Sequence, residues 1–149
     1  MKRFCQLWII SMLFASLHVW ANGTTIGYVK TVNGNAQIIS GSSTIPAKAG
    51  APLRTGDRIL TGSDGSLGLT LKDNTVMSIG PDTNISVDEY AFDPPREKLQ
   101  LAANLSSGTL HFVSGVIAKL KPEAVAIRTP TGTIGVRGTR FVVKVAPSN

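Results

Sequence analysis

The chain has 149 residues, 15 of them basic and nine acidic, for a formal net charge of +6. Its one cysteine, Cys5, and both tryptophans, Trp8 and Trp20, fall within the first 21 residues. Beyond that point Cys/His zinc sites, thiol chemistry and disulfide staples are all excluded.

Residues 1–21 read as a signal peptide. Lys2 and Arg3 form a positive start, and Phe4 to Val19 is an apolar run broken only by Gln6, Ser11, Ser16 and His18. Val19-Trp20-Ala21 sets small residues at −3 and −1 of a cut before Asn22. The run falls short of the roughly 20 apolar residues of a membrane span, so a cleaved signal is expected, with no lipidated cysteine and no stable span afterwards. Residues 22–149 then number 149 − 21 = 128, enough for one domain with a real core, at 15 − 2 = 13 basic residues against nine acids. The expected location is periplasmic, or secreted.

From Asn22 onward nearly every segment carries strand signals. Ile26 to Val32 and Ala36 to Ser40 flank Asn33-Gly34-Asn35, a hairpin signature because Asn-Gly accepts the positive φ of a type I′ turn. Ile45 to Leu53 holds two prolines, which bars a central strand there. Gly56-Asp57 turns the chain into a short apolar strand around Ile59, and Ser63-Asp64-Gly65 turns it again. Leu67, Leu69 and Leu71 alternate with polar or small residues, as in a strand with one face in a core.

Val76 to Ile79 and then Ile85, Val87 and Glu89 continue the beat, and Asp93-Pro94-Pro95-Arg96 reads as an exposed loop. Leu99, Leu101 and Ala103 form another strand, and Ser106-Ser107-Gly108 is expected to turn it into Thr109 to Ser114. Val116 to Leu120 fits either a strand or a brief helix. Val125 and Ile127 lead to Thr129, and Phe141, Val143 and Val145 make the last strand, with Phe141 expected in the core. Turns about every ten residues, without a helix of ordinary length, predict an all-β sandwich or roll; an irregular β-solenoid-like stack is the alternative.

The least ordinary run is Thr129 to Phe141. Gly132, Gly135 and Gly138 recur at every third position among threonines, with Arg137 between Val136 and Gly138. Such spacing suggests a tightly packed, turn-rich lead into a strand. Arg137 is expected to be partly enclosed and to tie this segment to the Gly56-Asp57 turn, since an enclosed guanidinium is normally paired. The competing role is contact with an anion or a partner.

Several motifs together resemble the FecR domain family. They are Leu53-x-x-Gly56-Asp57-x-Ile59, Asp73-Asn74-Thr75-Val76, Pro81-x-Thr83-x-Ile85, Gly108-x-Leu110, and Thr129-Pro130-Thr131 followed by Gly135-Val136-Arg137-Gly138-Thr139-x-Phe141. The last is the most specific. The resemblance implies a periplasmic all-β domain that works through protein contact rather than catalysis, and it makes these residues structural signature or partner-contact positions. In the iron-citrate regulator for which the family is known, a cytoplasmic segment controls a sigma factor. No such segment precedes the signal here, so a free-standing exported domain is expected.

The residues offer little to catalysis. His111, the one histidine after the signal, lies between Leu110 and Phe112, and alternation turns it toward solvent. No Gly-x-Ser-x-Gly elbow is present. Asp57, Asp64, Asp73 and Asp82 each sit in a turn, where aspartate bonds its own backbone. Gly132 to Gly138 lacks the Gly-Lys-Ser/Thr ending of a phosphate loop and precedes a strand. The expectation is a non-enzymatic signalling accessory without cofactor or metal, whose partner is an envelope protein and not nucleic acid. The alternative partner is an anionic polysaccharide or lipid head group. It rests on Lys119, Lys121, Arg128, Arg137, Arg140 and Lys144 at the basic C-terminal end, while aromatic platforms for sugars are scarce, with only Tyr28, Tyr90, Phe92, Phe112 and Phe141 after the signal.

Overall fold

A computed structural model describes residues 23–138 and 140–147. The expected signal, its cut before Asn22, and Thr139 lie outside the described residues. Among the described residues twelve strands follow one another: β1 Thr25–Asn33, β2 Ala36–Ser40, β3 Ser43–Pro46, β4 Pro52–Arg54, β5 Arg58–Thr61 and β6 Ser66–Leu71. Then come β7 Val76–Ile79, β8 Asn84–Asp93, β9 Lys98–Val113, β10 Val125–Thr129, β11 Gly132–Gly135 and β12 Arg140–Val145. Val116–Leu120 forms a short helix, α1, which resolves the ambiguity left by its sequence. The all-β class is as expected. No helix among the described residues is long and apolar enough to cross a membrane.

The strands form one curled sheet in the order β3-β2-β5-β8-β9-β7-β6-β1-β4, and every neighbouring pair along that path is antiparallel. The curl encloses a single core, to which β6 contributes Leu67, Leu69 and Leu71, β7 Met77 and Ile79, and β9 Leu101, Leu105, Leu110 and Phe112. The sandwich-or-roll expectation resolves into a roll. The proline-bearing strands β3 and β4 are its two ends, where a missing ladder N–H costs least.

Strand β9 organises the whole. Its first half pairs with β8 on one side and with β10, in parallel, on the other. Its second half pairs with β7 and β12. The chain therefore does not turn at Ser106-Ser107-Gly108 as expected; it runs on as one 16-residue strand. Gly108 supplies the bend at φ 93°, and Thr83 packs so closely on it that a Cβ would collide with the threonine side chain. The polar turn composition marks a bend inside a strand.

The Asn33-Gly34-Asn35 hairpin is also corrected. β1 pairs with β4 and β6 while β2 pairs with β3 and β5, so this link carries the chain from one half of the curl to the other. It rides on the neighbouring crossing from β5 to β6: the Gly62 N–H donates to Asn35 O at 2.9 Å, and the Asn35 N–H reaches Asp64 Oδ1 at 3.4 Å. Gly34, at φ 62°, faces the Asp64 carbonyl with no room for a Cβ. Tertiary packing captured a turn that local chemistry alone would close as a hairpin.

Candidate functional site

Asp73 positions one wall of the site from behind. The residue is fully buried, and its Oδ2 accepts from Thr75 Oγ1 at 2.7 Å and from the Ile117 N–H at 3.2 Å. Its carbonyl accepts the Val116 N–H at 2.7 Å. A turn aspartate by sequence, it is in fact the hub that seats α1 against the β6–β7 turn. Among the described residues no cation shares in its bonds, and hydrogen bonds compensate the buried carboxylate. Sequence reading missed this; the Asp-x-Thr pattern alone signals only a turn.

Helix α1 and the 3₁₀ turn Pro122–Ala124 form one side of an open groove of about 730 Å³, lined there by Ala118, Pro122 and Glu123. Its other side is Gly135-Val136-Arg137-Gly138. Val136 is buried and anchors the segment, and Ser114 Oγ donates to Gly138 O at 2.7 Å. Four consecutive signature residues thus stand together at one cleft.

The rest of the signature is placed elsewhere. Thr129 and Pro130 shape the β10–β11 turn, where Thr129 Oγ1 donates to Gly132 O at 2.9 Å. Phe141 is half-buried at the core's margin and stacks on Phe112 with ring centroids 4.9 Å apart. Gly56 and Asp57 form a turn held to β8: Asp57 Oδ2 accepts the Arg54 N–H at 2.8 Å, and the Gly56 N–H donates to Val87 O at 2.8 Å.

Two expectations are corrected by this geometry. Arg137 is exposed, and among the described residues no hydrogen bond or ion pair joins it to Asp57, whose carboxylate its own turn already engages. Nor are the glycines tightly packed. A Cβ on Gly132, Gly135 or Gly138 would meet nothing within 4 Å. Their absent side chains leave bare backbone at the surface instead of permitting close approach.

His111 is exposed, as alternation requires, and its cross-strand partners are Ser78 and Val142. Among the described residues no group of three or more His, Asp or Glu stands close enough to hold a metal. Burial, then the neighbouring Asp73 charge, pushes the Tyr90 phenol well above the usual tyrosine range.

Residues 57–149 match the family model described as FecR protein. The chain belongs to the FecR family. This is a regulatory signalling family, and the matched span includes the α1 wall of the groove and all of its signature wall. Neither a curated protein nor a solved structure matches this FecR chain.

Proposed function

We propose that this FecR domain is a non-enzymatic protein-interaction module of an exported signalling system, engaging an envelope protein through the groove beside Arg137. One observation carries the reading. The signature segment Gly135 to Gly138 lines an open groove, combining bare backbone, apolar Val136 and an exposed guanidinium. Such a surface offers a partner hydrogen-bonding groups, apolar contact and one directional charge. Export rests on the Lys2-Arg3 start and the apolar run after it.

The test is site-specific photo-crosslinking at residue 137 in the full exported chain, with mass spectrometric identification of what is trapped. A reproducible envelope protein, lost in an Arg137→Glu variant probed from residue 123, supports the reading; an unchanged crosslink in that variant overturns it. The second reading, an anionic glycan or lipid head group, is favoured by exposed Lys119, Lys121, Arg137, Arg140 and Lys144. Binding to anionic polysaccharide or vesicles alone, abolished above about 0.3 M salt, would replace the protein partner.

A further inference from the structure

The half of the curl formed by β4, β1, β6, β7, the second half of β9, and β12 has an unusual composition. None of its strand residues is Asp or Glu. Cross-strand partners carry its outward face in rows, Arg140–Val113–Val76–Thr70–Tyr28 and Val142–His111–Ser78–Gly68. Tyr28 at 44 %, Val76 at 37 % and Val142 at 58 % exposure all lie on this face. It is apolar and hydroxyl-rich, and the charges on its β12 margin are cationic.

Strand β12 ends this half. Among the described residues it pairs with β9 alone, leaving its other edge open. Outward it shows Arg140, Val142 and Lys144; inward it shows Phe141, Val143 and Val145, each only half-buried. Beyond that edge an open cleft of about 330 Å³ separates Val143, Lys144 and Val145 from Gly132, Thr133 and Ile134 of β11. An edge strand with backbone groups to spare and a half-covered apolar side is a template for strand addition.

Charge selects the occupant. Two copies of β12 paired antiparallel about Val142 would set Arg140 against Lys144 twice, and like charges directly opposite are destabilising. A strand bearing carboxylates on the same face reverses that sign at both positions. We infer that the β12 edge accepts an extended strand from a partner protein in which acidic and apolar side chains alternate. The carboxylates lie beside Arg140 and Lys144, and the apolar side chains cover Phe141, Val143 and Val145. This rests on the reading of the domain as a protein-interaction module, yet it uses an edge distinct from the Arg137 groove.

The experiment takes the full exported chain and three eight-residue synthetic probes: alternating Glu-Val, alternating Lys-Val, and a four-Glu, four-Val block. Fluorescence anisotropy reads affinity, and hydrogen exchange reads which backbone is covered. The alternating Glu-Val peptide is expected to bind about tenfold more tightly than either control, from two cross-strand charge pairs plus register. It should protect residues 140–145. A double Arg140→Glu, Lys144→Glu variant, shown folded by its melting curve, should invert the preference toward Lys-Val. Arg137→Glu should leave peptide binding unchanged while abolishing the groove crosslink, which separates failure here from failure of the groove reading. Equal binding of the three peptides, no binding, protection outside 140–145, or displacement of the peptide by dextran sulfate at the same affinity overturns the inference. The wild-type peptide series decides the matter even if the double variant does not fold.

Discussion

Tyr90 and Asp73 are joined twice: the tyrosine hydroxyl accepts the Asp73 N–H at 2.9 Å and donates to Asp73 Oδ1 at 3.2 Å. This pair locks β8 to the β6–β7 turn, and through Ile117 it sets the helix that walls the groove. Replacing Asp73 with Ala strands several buried donors at once. The expected loss is about 3 kcal/mol or more in chemical denaturation, since each unsatisfied group costs on the order of 1–3 kcal/mol. A loss under about 1 kcal/mol would contradict the hub role.

The same pair makes a prediction about alkali. Burial and the Asp73 charge raise the Tyr90 phenol in the folded state above its unfolded value, so the neutral hydroxyl is what the fold favours. That contribution is complete below the unfolded tyrosine value of about 10 and is lost as pH climbs from there toward the folded value. Melting temperature should therefore fall above about pH 10, and less steeply in Tyr90→Phe than in the parent, scanned by circular dichroism. Identical slopes in the two proteins would refute the assignment to Tyr90.

Glycines of the family pattern should separate sharply on substitution. Gly108→Ala forces a Cβ into Thr83 at φ 93° and is expected to cost about 2 kcal/mol or more. Gly135→Ala meets open space without a positive φ and should stay within about 0.5 kcal/mol of the parent. Denaturant midpoints of the two variants check this; comparable losses would mean the groove glycine is structural after all.

Arg137→Ala should melt within about 2 °C of the parent, as exposed surface side chains usually do. A larger drop would restore a structural role for the guanidinium.

Phe112 and Phe141 stack across the β9–β12 ladder, one fully buried and one at the margin. Phe112→Ala is expected to cost about 3–5 kcal/mol and Phe141→Ala about half as much. Their double-mutant cycle should leave a coupling of about 0.5–1.5 kcal/mol, reflecting the ring pair itself. Strict additivity would show that the rings act independently.

What was legible in the sequence was local. Alternation at Leu67, Leu69 and Leu71, and at Val143 and Val145, reveals strands and their inward faces, because a period of two leaves no other way to bury one side. Prolines at 46 and 52 kept their segments off the sheet interior for an equally local reason, a missing N–H. The run from Thr129 to Phe141 marked the family, which the match over residues 57–149 bears out.

Tertiary structure alone decided what these pieces do to one another. Asn33-Gly34-Asn35 has hairpin chemistry, yet Asp64 and Gly62 hold it as a crossing, since pairing partners are chosen over the whole chain. Asp73 looks like its fellow turn aspartates until helix α1 closes over it. Arg137, expected to tie down the signature segment, is instead exposed beside a groove, because Asp57 is satisfied within its own turn. Residue types and spacings record conformational preference and burial. Whether a charge is enclosed or offered depends on which groups its intended partner already engages and on what packs around it, and that is a property of the packed fold.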